Sequence, residues 1–260
     1  MEKRTDGFLI NKGEQEKDFI FGTRAVMEAI HAQKDIDKIL LDKDVNNELT
    51  KELLALAKAE RIPVVRVPDA KLNRITRKNH QGVIAHMSAI QYASLDNVIE
   101  TCFSSGIAPL ILVLDRITDV RNFGAIARTA ECAGVHAIVI PEKGAAQINS
   151  DAVKTSAGAL NHLPICRVKN LYYTVKDLQK MGLQVVAVSE KAEKMMYEAD
   201  FSIPTALIMG SEEDGISSEL MGLSNDFIKI PMKGNIESLN VSVSAGVVIY
   251  EAIRQRGSGQ

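Results

Sequence analysis

An α/β protein with a mostly parallel sheet covered on both faces is what this sequence predicts, preceded by a smaller α/β unit. Three observations carry that reading. From Pro109 onward, short wholly apolar runs alternate with helix-length segments, the pattern of strands buried on both sides. Aromatic residues are only 5% of the chain and Trp is absent, while hydrophobic residues reach 46%; aliphatic side chains and Ala must therefore fill the core. The length of 260 residues allows one large domain or two modest ones.

Residues 1–17 are polar and aperiodic and are expected to form a flexible tail. Residues 18–92 read as the small α/β unit. Gly22 opens a helical stretch with Val26 and Ile30 on one face, and 37–41 is a short strand. Residues 47–61 place Leu49, Leu53, Leu56 and Ala57 at amphipathic spacing. Segments 63–67 and 82–87 are further strands, and between them the loop-like stretch 71–80 is the most basic of the chain, with Lys71, Arg74, Arg77 and Lys78. Residues 93–107, broken at Ser104-Ser105-Gly106, read as a linker with a helical turn. The domain 108–260 then runs through strands at 110–114, 137–140, 184–188, 206–209 and 227–230, with helices at 124–133, 151–159, 171–180 and 241–254.

Composition narrows function. A net charge of −2 argues against a protein that coats nucleic acid through charge alone, though a local basic patch remains compatible with RNA binding. Cys102, Cys132 and Cys166 are widely separated, as expected of reduced thiols. No apolar run is long enough to span a bilayer, and no signal-like apolar core follows Met1 to Asp6, so a cytoplasmic protein is expected. The sequence contains no GxGxxG between strand and helix, no GxxxxGK[ST], no GxSxG and no HExxH. His31, His80, His86, His136 and His162 have no metal-ligand spacing, so no metal is expected. Hydride transfer, nucleotide hydrolysis and metallohydrolysis lose ground together.

Ligands of parallel α/β sheets collect at the carboxyl ends of the strands. Three polar, glycine-bearing loops open there: 115–124, with Asn122 and Gly124; 210–216, with Gly210, Glu212 and Gly215; and 231–242, with Ser238, Asn240 and Ser242. Taken singly, each glycine reads as a turn residue, Asn122 as a helix N-cap and Arg128 as a surface helix residue. Their convergence on one rim is what a binding site requires.

At these loops the chain resembles the SpoU (TrmH-like) branch of the SPOUT RNA methyltransferases. The likeness rests on Asn122-Phe123-Gly124 with Arg128-Thr129-Ala130, on Met209-Gly210-Ser211-Glu212 with Gly215, and on Ile230-Pro231-Met232-Lys233-Gly234 with Ser238-Leu239-Asn240-Val241-Ser242. Three motifs in order form a specific signal. Val120 departs from the Pro usual in the first motif. Phe21-Gly22 with Ala25-Val26, and His80-Gln81-Gly82-Val83, resemble the family's substrate-binding domain, similar to ribosomal protein L30e.

The resemblance implies a C-terminal SPOUT domain closed by a trefoil knot, a topology that general chain rules all but exclude. It implies S-adenosylmethionine as methyl donor, held by Met209, Gly210, Gly215, Ile230, Met232 and Leu239, and a homodimer using the closing helix. It implies transfer to a ribose 2′-hydroxyl of RNA, most similarly to members that modify a guanosine of 23S rRNA. Arg128 is expected at that hydroxyl, positioned by Asn122; Glu212 is expected to pair with Arg128 or hold the ribose, and Ser238 and Asn240 to meet phosphate or the donor's tail. Lys71, Arg74, Arg77 and Lys78 are expected to bind RNA phosphates. The same reaction on tRNA, or a non-catalytic RNA-binding protein of this fold, stays open.

Overall fold

The computed structural model describes residues 19–236 and 238–257; the expected tail, 1–17, lies outside them. The first unit contains β1 (Phe19–Phe21), α1 (Thr23–His31), β2 (Ile36–Asp42), α2 (Glu48–Ala59), β3 (Val64–Val67), α3 (Asp69–Ile75) and β4 (Val83–Met87). Its sheet runs β1-β4-β2-β3, with β2 and β3 parallel and the other pairs antiparallel. Val26, Ile30, Leu53 and Ala57 from α1 and α2 pack on Ile39, Leu41, Val83 and Ala85. The basic stretch is not simply a loop. Lys71 and Arg74 ride on α3, because Leu72 points inward and is wholly buried; Arg77 and Lys78 follow it.

The second unit begins before the expected boundary. Residues expected to link the units form α4 (Leu95–Ser104), capped by Ser94, and its Ile99 and Cys102 are buried. Ile99 packs on Ile111 and Val113 of the second sheet, so apolar spacing within this short segment outweighs its Ser-Ser-Gly end. Next come β5 (Leu110–Leu114), α5 (Val120–Cys132), β6 (Ala137–Pro141), α6 (Ser150–Thr155), a 3-10 turn at Ala159–Asn161, β7 (Ile165–Val168), α7 (Leu171–Lys180) and β8 (Gln184–Val188). The chain finishes through β9 (Lys194–Met195), β10 (Thr205–Met209), α8 (Ser218–Met221), β11 (Asp226–Lys229) and α9 (Val241–Gly257).

The seven strands lie in the order β7-β6-β5-β10-β8-β11-β9, and the paired strands are parallel throughout. Parallel pairing requires crossovers, and these cover both faces. Phe123, Ile126 and Ala130 of α5 pack with Ala245, Val248 and Ile249 of α9 on one face. Val175 and Leu178 of α7 and Leu220 of α8 pack on the other.

The units meet at a polar joint. Arg167 of β7 donates to the Asp37 carbonyl at 3.0 Å and to its carboxylate at 3.3 Å, and its guanidinium lies 4.2 Å from the Tyr92 ring centroid. The Tyr92 hydroxyl donates to the same carboxylate at 3.2 Å.

Candidate active site

β5 and β10 are adjacent and in register, with Met209 beside Leu114, so the loops that follow them leave one rim side by side. The Asp115 amide donates to the Met209 carbonyl at 2.8 Å. Buried Asp115 then accepts from the Ser217 amide at 2.7 Å. Arg116, at φ 60°, reaches across to Asp214 at 3.2 Å and to the Gly215 carbonyl at 3.0 Å. These interactions clamp the second loop to the first. Sequence reasoning does not single out Asp115 and Arg116; their position directly after an apolar strand is the one signal that points to them.

The second loop is a tight reversal, closed by the Gly215 amide on the Ser211 carbonyl at 3.0 Å. A Cβ at Gly210 would fall 2.1 Å from the Gly215 carbonyl carbon, so only glycine allows the two strands of this turn to touch. Glu212 is thereby projected toward the start of α9. Its Oε1 accepts from Asn240 Nδ2 at 2.6 Å, from the Val241 amide at 3.0 Å and from Asn122 Nδ2 at 3.3 Å. Asn240 Nδ2 also donates to Asn122 Oδ1 at 3.0 Å, and Asn240 Oδ1 accepts from the Ser242 amide at 2.9 Å. A carboxylate accepting at a helix N-terminus is favoured by the orphan amides and the helix dipole. The three motifs are therefore tied together through Asn122, Glu212 and Asn240.

Two expectations change here. Asp119, not Asn122, caps α5: its carboxylate accepts from the Asn122 amide at 2.7 Å, leaving the Asn122 side chain for the cluster. Glu212 does not pair with Arg128. Arg128 lies six residues beyond Asn122 on α5, about 9 Å along the axis and roughly 120° around it. It is exposed and makes no hydrogen bond or ion pair with the described residues. It lines a cavity of about 300 Å³ with Glu131, Gly158, Ala159, Asn161 and His162.

Among the residues expected to hold the donor, Met209 has its side chain in the core at 3% exposure, so it shapes the loop instead of facing a ligand. Ile230 is half-buried against the core, Leu239 is half-buried and Met232 is exposed. Gly210 and Gly215 present backbone. The residue types suit a donor with an adenine ring and a polar tail: the 210–215 turn offers closely packed backbone, and Ile230, Met232 and Leu239 are apolar side chains left partly uncovered. Ser238 is exposed and pairs with no described residue. Lys71, Arg74, Arg77 and Lys78 are exposed on the first unit. Among the described residues no cluster of His, Cys, Asp or Glu could hold a metal ion.

Comparison with known proteins gives the same order of features. The profile of the SpoU rRNA methylase family matches residues 109–250, and that of the RNA 2′-O ribose methyltransferase substrate-binding domain matches 19–93. The putative TrmH family tRNA/rRNA methyltransferase YacO of Bacillus subtilis is 34% identical, over 93% of this chain and 97% of its own. The 23S rRNA (guanosine-2′-O-)-methyltransferase RlmB of Ralstonia nicotianae is 36% identical, over 87% and 90%. The crystal structure of the SpoU methyltransferase AviRb from Streptomyces viridochromogenes, in complex with AdoMet, superposes with a TM-score of 0.58 at 26% identity, covering 93% of this chain and 91% of that one. The chain belongs to the SpoU methyltransferase family. Within it, this is an RNA 2′-O-ribose methyltransferase that depends on S-adenosylmethionine.

Proposed function

We propose that this enzyme methylates the ribose 2′-hydroxyl of a guanosine in 23S rRNA, acting as a cytoplasmic homodimer. The observation that carries the catalytic part is the Asn122–Glu212–Asn240 network, which joins three chain-distant loops at one rim; Asn122 lies on the helix that also bears Arg128, unpaired among the described residues. The 23S rRNA and guanosine assignments draw on the likeness to the Ralstonia RlmB enzyme. The other relatives named for both tRNA and rRNA keep tRNA as the second reading.

When bound, S-adenosylmethionine supplies a methyl carbon on a cationic sulfur that leaves as a neutral thioether. The protein has to orient the 2′-hydroxyl and manage its proton. Arg128 is a poor base, because guanidinium stays protonated. Placed at the hydroxyl, it stabilises the growing negative charge on oxygen, while a phosphate oxygen of the RNA accepts the proton. Asn122, Glu212 and Asn240 hold the loop geometry. Ser238, unpaired among the described residues, donates to phosphate or to the donor's tail.

After β11, Asn240 is tied to Glu212 and Asn122, and α9 then packs on α5; this return toward the first loop supports the knotted topology that the resemblance implies. Val243 and Tyr250, at 50% and 53% exposure on α9, supply apolar surface for a second copy. We assign RNA contact to the first unit and chemistry to the second, a division supported by profile matches over 19–93 and 109–250, with α4 between them packed on the second sheet.

The test is competition between unmodified 23S rRNA and bulk tRNA for labelled methyl groups. Preferential labelling of 23S rRNA is expected; preferential labelling of tRNA overturns the substrate assignment.

A further inference from the structure

The cavity beside Arg128 is built on a different face of α5 from the loop network, and its exposed polar side chains are idle among the described residues. Besides Arg128, the side chains of Glu131, Asn161 and His162 are exposed there and make no hydrogen bond with the described residues. Gly158 and Ala159 leave the floor free of bulk. At about 300 Å³ the space lies at the small end of ligand pockets, roughly 300–1,000 Å³. Arg128 and Glu131, three residues apart on one helix, are surface neighbours.

We propose that this cavity seats the base attached to the methylated ribose, and that Glu131 selects guanine. The inference rests on the reading of the enzyme as a guanosine ribose methyltransferase. Arg128 at the 2′-hydroxyl leaves the adjoining cavity to whatever is attached to that sugar. A phosphate there would meet the Glu131 carboxylate and be repelled, whereas a neutral heterocycle would not. Glu131 can only accept hydrogen bonds. Guanine alone among the four bases presents two neighbouring N–H donors, at N1 and the 2-amino group, on its Watson–Crick edge. Adenine and cytosine each place a ring acceptor beside their amino group, and uracil flanks its single N–H with carbonyls. RNA enzymes read such edges on unstacked bases. Asn161 and His162 supply donors for guanine O6 and N7.

The experiment compares wild type, Glu131→Ala and Glu131→Gln on full-length 23S transcripts. One transcript carries guanosine at the mapped methylation site and another carries adenosine there; kcat/KM for RNA and KM for S-adenosylmethionine are read. Wild type should prefer guanosine strongly. Glu131→Ala should lose about tenfold or more of its kcat/KM on the guanosine transcript, with the donor's KM unchanged and the guanosine-to-adenosine preference largely erased. Glu131→Gln should fall between. Glu131→Ala that keeps wild-type turnover and preference overturns this inference alone. Wild type that methylates no guanosine in rRNA overturns the substrate reading, and this inference with it.

Discussion

The proposed roles of Arg128 and Glu212 are separable by mutation. Arg128 is exposed and unpaired among the described residues, so none of the described packing depends on it. Arg128→Ala should lower methyl transfer by about 10²–10³-fold while S-adenosylmethionine binding, measured by calorimetry, stays near normal; near-wild-type turnover would remove its assigned role. Glu212 instead accepts three hydrogen bonds from Asn122, Asn240 and Val241. Glu212→Ala should weaken donor binding as well as turnover and lower the melting temperature, since it strips a carboxylate from the α9 N-terminus at a cost of about 1 kcal/mol. Equal donor affinity in that variant would show that the network does not shape the donor loops. Asn122, Glu212 and Asn240 are legible in the sequence as members of one site, because each follows an apolar strand or opens a helix. Their pairings are not: which polar group meets which across 118 residues, as for Asn240 and Asn122, is set by strand order. Buried Asp115 and half-buried Arg116 escape sequence reasoning for the same reason.

Among the elements, apolar periodicity locates most strands and helices to within a few residues, and the departures have local causes. α3 has the sequence of a loop because one buried residue, Leu72, anchors it amid basic side chains. Further support comes from His80, whose Nδ1 accepts from the Gly82 amide at 3.0 Å. Its Nε2 therefore carries the hydrogen and faces Asn73 Oδ1 at 3.3 Å. Replacing Lys71, Arg74, Arg77 and Lys78 by Gln should weaken RNA binding and reduce the slope of log K against log salt by roughly 0.7 for each phosphate no longer neutralised. An unchanged slope in filter binding would rule out the patch. α5 and α6 offer a packing test. A Cβ at Gly124 would lie 2.7 Å from Thr155 Cβ and 3.2 Å from the Ala152 carbonyl. Gly124→Ala should destabilise by about 1–3 kcal/mol, and Thr155→Gly in the same chain, which removes the clashing Cβ, should cost less there than in the wild-type background in denaturant unfolding. Simple additivity of the two would mean that the packing there is not tight.

At the scale of the whole molecule, the two-unit α/β plan is readable from alternation alone. How the units face each other is not, because the joint consists of Asp37, Tyr92 and Arg167, three residues with no shared motif. Burial, and then the Asp37 charge, push the Tyr92 hydroxyl up from 10.0 to about 12. The folded form therefore favours the neutral phenol. Its contribution is complete below about pH 10 and is lost as pH rises toward 12. Thermal unfolding followed from pH 9 to 12 should show an alkaline loss of stability that is smaller in Tyr92→Phe; identical profiles would contradict the joint's role. The proposed trefoil knot is likewise out of reach of pattern reading and enters only with the family resemblance, since chain-threading leaves no periodic trace. The proposed methylation of one rRNA guanosine on its ribose is tested most directly by mapping the labelled methyl group in 23S rRNA by resistance to alkaline cleavage. One alkali-resistant bond is expected, immediately 3′ of a guanosine and absent with Arg128→Ala. Label that leaves every bond alkali-labile, and so sits on a base, would contradict it.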